Sequence, residues 1–394
     1  MRNLPNSAFQ KLKIAVVLIF LFWQTHYPQK TGSDEIASTI LKKCWAYSLT
    51  NTADVGFASD KDYDKASNLY IPLIGGKLLS LDPVTGEKYW ETEMGGDIIA
   101  LPIIIGGTIY TAAKYNSEQS DNSLKDKNRS EPTVILRALD KSTGVTQWQS
   151  ALEPAERLYL FSFENKIVSV GDNGQISFVD KIDGKNVWKK RLGTNLSAPP
   201  IVNNSEIFLG TADSRVIKVS LTDGQVTDEL KIPAPPTVII ENADKNKLIV
   251  GDRKGNLLSL NKKFNRKAKA IEWRLRNGAE ISSVTLTAEG LLISSFDNFV
   301  YLISENGGKL LWKKRFSGRI IAAPLVKDNY FIVSATDESI AVIAELSGGR
   351  VGNKITLEDD NFFTGLSLRT GNLLIYSTLK GVFGYSFDGD RDGC

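Results

Sequence analysis

From about residue 44 onward the chain alternates short apolar runs with polar turns, and no stretch shows the three-to-four-residue period of an amphipathic helix. The stretch from Leu196 to Ile232 is representative. An apolar run (198–202) meets the turn pair Asn203 and Asn204, a second run (206–211) meets Asp213, and a third (216–221) meets Asp223 and Gly224 before a last alternating segment. Runs of this length, rich in Val, Ile, Leu and Thr and bounded by Asn, Asp and Gly, predict four antiparallel strands in about 40 residues.

The pattern repeats with a recognisable junction between the third and fourth strands. Its clearest copies are Ser80-Leu-Asp-Pro-Val-Thr-Gly-Glu-Lys-Tyr-Trp90 and Ala138-Leu-Asp-Lys-Ser-Thr-Gly-Val-Thr-Gln-Trp148, with two more at 179–188 and 303–312. Gly86, Gly144, Gly184 and Gly308 each stand four residues before Trp90, Trp148, Trp188 and Trp312, respectively. Trp273 and Trp45 occupy the same strand position, whereas Asp228 and Asn353 replace the ring in two degenerate copies. Trp148 and Trp188 are 40 residues apart, the spacing of one four-stranded unit. Seven units fit between residue 54 and about 357. The remainder supplies three strands (363–368, 373–377, 382–387), and the segment 44–49 around Trp45 supplies the fourth. The sequence therefore predicts an all-β, eight-bladed propeller of four-stranded antiparallel blades, closed by both termini in one blade.

The motif Ala/Ser-Leu-Asp-x-x-Thr-Gly-x-x-x-Trp resembles the PQQ-type propeller repeat of quinoprotein dehydrogenases and of BamB-type outer-membrane assembly proteins. The resemblance runs from Cys44 to Phe387. It implies the propeller fold and, from its BamB-type branch, an extracytoplasmic scaffold with a protein partner in the cell envelope. Because the motif is architectural, it assigns no catalytic residue. Each Trp is expected to cover the gap between neighbouring sheets, and each Asp (Asp82, Asp140, Asp180, Asp388) to cap its turn by accepting from amides two or three residues ahead.

Composition narrows the chemistry. The 48 Lys and Arg nearly balance the 45 Asp and Glu, so no global field favours nucleic acid. His26 is the only histidine and lies in the N-terminal segment, which removes a Ser/His/Asp arrangement. No Cys-Cys pair of the catalytic quinoproteins is present, and no P-loop. The reading is a non-enzyme without cofactor or metal; the alternatives are a PQQ-dependent quinoprotein dehydrogenase and a ligand-binding sensor ectodomain. Residues 1–13 form a basic lead and 14–27 an apolar signal peptide or membrane anchor, followed by a linker at 28–43, the propeller at 44–388 and a tail at 389–394.

Three departures from the minimal repeat are candidate partner sites. The loop 261–269 gathers Lys262, Lys263, Arg266, Lys267 and Lys269, and insertions occupy 59–67 and 115–132, the latter on the opposite face from the other two. Aligning the final copy with the first puts Cys394 beside Cys44 on one composite outer strand. In an oxidising compartment the pair can form a disulfide across the closure; the alternative leaves both thiols free. The tail 388–393 also resembles the start of a calcium loop, without its later ligands.

Overall fold

The structure, a computed structural model, describes residues 42–48, 58–59, 68–115, 133–203, 205–264, 270–320, 323–334, 340–356, 365–368, 373–378 and 381–386. All regular structure among them is β, arranged in eight antiparallel sheets. Sheets 1 to 7 are consecutive along the chain, and in most of them the four strands lie side by side in chain order. Sheet 3 is typical, with Leu158–Phe163, Lys166–Gly171, Gln175–Asp180 and Asn186–Arg191. In sheet 8 Lys42–Ser48 pairs antiparallel with Gly381–Ser386, which continues into Leu373–Thr378 and Gly365–Leu368, so the two ends of the chain share one ladder.

Burial follows from the alternation. In sheet 3 the second and third strands are covered on both faces, whereas the fourth, Asn186–Arg191, alternates exposed and half-buried residues. The cores therefore lie between sheets. Val168, Val170 and Phe178 of sheet 3 pack on Ile207, Leu209 and Ile217 of sheet 4, and equivalent clusters join the next sheets in turn. One cluster combines Trp45, Ile375 and Val382 of sheet 8 with Leu69, Ile71 and Leu79 of sheet 1, so the succession of neighbours returns to its start.

Two details depart from the simplest strand reading. In sheet 4 the innermost strand is only Ile201–Asn203, shorter than the predicted 198–202 run, because Pro199 and Pro200 carry no N–H for the ladder. Pairing resumes before them as a bridge from Leu196 to Thr211. Second, every outer strand contains a bulge at the residue immediately before the repeat's Trp position, from Tyr89 in sheet 1 and Gln147 in sheet 2 to Cys44 in sheet 8. A bulge leaves its residue out of the ladder and turns its side chain away. This accounts for exposed Tyr89, Val187 and Leu311 on otherwise ordered strands.

The turn aspartates cap as expected. Asp82 accepts from the amides of Val84 at 2.7 Å and Thr85 at 2.8 Å, and Asp140 accepts from those of Ser142 and Thr143, each at 3.0 Å.

Candidate functional site

The repeat's two signature residues meet across the seam between sheets. Trp90 lies on Gly144 of sheet 2, Trp148 on Gly184 of sheet 3, Trp188 on Gly224 of sheet 4, Trp273 on Gly308 of sheet 6 and Trp312 on Gly349 of sheet 7. At the closure Trp45 lies on Gly86. The glycine each ring touches is the next sheet's, not the one four residues before it. Gly184 has φ of 71°, a left-handed value that L side chains rarely adopt, and a Cβ there would stand 2.5 Å from Cε3 of Trp148. Five of the six indoles also donate their N–H to a main-chain carbonyl of the neighbour's turn, among them Trp148 to Lys181 at 2.8 Å, Trp90 to Lys141 at 3.1 Å and Trp312 to Leu346 at 2.8 Å. The ring buries apolar area while its one polar atom is satisfied, so the seam is fastened without a buried orphan donor.

The seam between sheets 4 and 5 is built differently. Asp228 stands where the ring would be, and its carboxylate accepts from the main-chain N–H of Phe264 at 2.8 Å. Phe264, in the long loop that replaces the glycine turn of sheet 5, is itself buried beside Ile232, Leu258 and Leu260. An aromatic side chain still fills the seam, but it comes from the opposite sheet.

On this seam opens a cleft of about 540 Å³, lined by Glu206 and Lys218 of sheet 4 and by Lys247, Lys262, Lys263 and Glu272 of sheet 5, among others. Its charges are largely paired. Lys218 is 3.1 Å from Glu206, and Lys247 is 2.7 Å from Glu272. Lys262 is ion-paired with Glu241, donates to the carbonyl of Lys245 at 2.5 Å and lies 5.7 Å over the ring of Phe208. Lys263 is exposed and makes no ion pair among the described residues. Arg266, Lys267 and Lys269, expected to extend this cationic group, lie outside the described residues, as do 60–67 and 116–132 of the two insertions. No group of three or more His, Cys, Asp or Glu gathers among the described residues. Cys44, the bulge residue of Lys42–Ser48, is half-buried and disulfide-bonded. Cys394 lies outside the described residues, as does Asp388.

The residues that sequence reasoning missed are Asp228 and Phe264 as partners. Their signal was present, because the loss of Trp in one copy coincides with the loss of the glycine turn in the next.

Comparison with known proteins follows the same frame. The family profile described as "Outer membrane protein assembly factor BamB" matches residues 132–307 and 264–351, together more than half of the chain. The chain belongs to this PQQ-type, BamB-like repeat family. Among its relatives, BamB of Moranella endobia is 20% identical over 300 residues, covering 70% of each chain. BamB of Burkholderia pseudomallei is also 20% identical, over 317 residues and 75% of each. The crystal structure of BamB from Moraxella catarrhalis superposes with a TM-score of 0.64 at 17% identity, covering 89% of this chain and 99% of that one. The C-terminal WD40 domain of Sif2 gives 0.63 at 14% identity, again over 89% of this chain and 99% of the other. The fold is thus a β-propeller of the BamB-like family, in which the Trp–Gly fastening serves the architecture.

Proposed function

We propose that this protein is a non-catalytic, extracytoplasmic scaffold of eight blades that holds a protein partner in the cell envelope during outer-membrane protein assembly. Family membership carries the reading, since the relatives' names place them in that process. Eight sheets, with buried clusters that join sheets 1 to 7 in succession and sheet 8 to sheet 1, support a closed ring of eight blades. The apolar segment at 14–27 supports export, by a cleaved signal or a retained anchor. The polar cleft between sheets 4 and 5, with exposed Lys263 at its mouth, offers an electrostatic contact surface at the margin of the ring. The Cys44 disulfide is assigned to Cys394, which locks the two ends of the chain together on the outer strand of the closing blade.

Cross-linking in cells followed by affinity capture from membrane extract tests the reading. Recovery of envelope assembly proteins, together with a loss of folded outer-membrane protein on deletion of the gene, is expected. Saturable binding of the quinone PQQ with calcium, accompanied by dye reduction, would replace the scaffold with a dehydrogenase.

A further inference from the structure

We infer that the outer rim formed by the turns between third and fourth strands docks on the surface of an anionic lipid bilayer, along the arc from sheet 3 to sheet 6. These turns share one rim. Each repeat Trp stands just past the turn of its own sheet and lies on the glycine of the next sheet's turn, so successive turns are neighbours, and Trp45 on Gly86 continues the row across the closure. Among the described residues, every exposed large apolar side chain except Ile74, Leu101 and Leu286 stands on one of these hairpins. Val84, Val145 and Val226 belong to sheets 1, 2 and 4. Sheets 3 and 6 carry two aliphatic side chains each. Ile182, at the tip of its turn, is 81% exposed, with Val187 at the bulge that follows, and Leu310 and Leu311 stand together in sheet 6. Protection of a sheet edge explains cations on an outer strand, but not aliphatic groups at its tip.

The same two sheets place cations directly behind their apolar tips, in the sequence Trp-Lys-Lys-Arg at 188–191 and again at 312–315. Lys189, Lys313 and Arg315 are exposed and make no ion pair among the described residues. Lys189 follows Val187 by two strand positions, about 7 Å. Sheet 5, inside the arc, adds exposed Lys263 and Arg276. The acids of sheet 4 are engaged within the protein, Asp228 by the N–H of Phe264 and Glu229 by Arg215 at 2.7 Å. Outside the arc the cations thin out: the outer strand of sheet 1 sets one Lys against Glu91 and Glu93, and that of sheet 2 has no charge.

That layering selects the occupant. Aliphatic tips enter the boundary between headgroups and acyl chains, and Lys and Arg a few ångströms behind them reach the lipid phosphates. Two sheets separate the paired tips of sheets 3 and 6, so a surface that meets both must be broad and level, as a bilayer is. The turns between first and second strands open on the same side, where the N–H of Lys181 meets the carbonyl of Asn165, and they carry Glu164, Asp244, Glu289 and Asp328. An anionic surface repels those acids, so the outer rim meets the lipid and the centre of the ring tilts away. Only the presence of a membrane nearby rests on the envelope location proposed above.

The test uses the full chain, purified without reductant and labelled with the environment-sensitive fluorophore NBD at Ile182→Cys, at Leu311→Cys or, on the opposite side, at Ile74→Cys. Each is mixed with vesicles of phosphatidylcholine alone or with added phosphatidylglycerol. A blue shift of NBD emission is expected at positions 182 and 311 with phosphatidylglycerol present, and none at 74. In the Leu311→Cys background, Lys313→Glu/Arg315→Glu should weaken vesicle binding at least about tenfold, since each cation near an anionic surface is worth about 1 kcal/mol, at an unchanged melting temperature. The inference is overturned by an absent shift at 182 and 311, by an equal shift at 74, by binding that the charge reversal leaves intact, or by a shift that appears with envelope protein extract and not with lipid, which would make a protein the occupant. The vesicles hold no assembly protein, so this outcome is independent of the capture experiment that tests the scaffold.

Discussion

Trp148 donates its indole N–H to the carbonyl of Lys181 and rests its ring on Gly184, so one residue of sheet 2 is held by two residues of the same turn in sheet 3. Both contacts depend on the turn's shape, which the left-handed φ of Gly184 and the caps of Asp180 maintain. Trp148→Ala is expected to destabilise the protein by about 2 to 4 kcal/mol, below the range for a fully buried aromatic because the ring is only partly covered, while Lys189→Ala on the same rim changes stability by less than about 0.5 kcal/mol. Gly184→Ala should also destabilise strongly. The double variant should cost clearly less than the two single losses added, because both remove the same contact. Additive losses in chemical denaturation would separate the ring from the glycine.

The seam between sheets 4 and 5 gives a sharper test. Phe264 lies in a loop, where truncation is usually tolerated, yet it fills the place of the missing ring. Phe264→Ala is expected to cost about 3 to 5 kcal/mol, as if it were a core residue. A melting temperature indistinguishable from wild type would show that the seam is closed by other groups.

The disulfide proposed between Cys44 and Cys394 predicts a redox dependence of stability. Closing a loop of roughly 350 residues restricts the unfolded chain by about 5 to 6 kcal/mol in the chain-entropy description, an upper figure that strain reduces. Reductant should therefore lower the melting temperature of the wild type and leave Cys44→Ser unchanged. Alkylation of both thiols in protein purified without reductant would rule the bond out.

Acid should loosen the turns first. The hydroxyl of Ser142, followed by that of Thr143, holds the carboxyl of Asp140 below its ordinary value of 3.8, and Lys166, followed by the Ile182 amide, holds Asp180 below it. A carboxyl whose folded pKa lies below its unfolded one stabilises the fold above the ordinary value, and that contribution is lost as the pH falls through the folded pKa. The difference in melting temperature between wild type and Asp140→Asn should accordingly shrink as the pH drops below about 4. A gap that stays constant down to pH 2 would contradict this account.

Much of the fold was legible because its determinants are periodic. The strand runs, the Trp at one position per unit and the closing segment around Trp45 all follow from spacing and alternation, and the ladder between Lys42–Ser48 and Gly381–Ser386 forms where the missing strand was expected. Which glycine a given Trp touches was not legible. In a repeat, the glycine four residues back and the one in the next copy are the same residue type in the same context, and only the third dimension tells them apart. The bulge was hidden too, since the residues that occupy it, such as Tyr89, Gln147, Val187 and Cys44, share no chemistry. At the basic loop the sequence shows five cations but not which of them is paired, so the contact of Lys262 with Glu241, which lies 21 positions away, could not be read from it.

The offset between ring and socket bears on how such a chain can grow or shrink over evolutionary time. Each Trp is received by the following copy, so a tandem duplication of one whole period, wherever its endpoints fall, adds one ring and one socket together and leaves neither unmatched. The seam of Asp228 and Phe264 breaks that interchangeability. A copy placed there would need both altered halves at once, and the ring thereby acquires a fixed point from which the order of its otherwise similar parts can be counted.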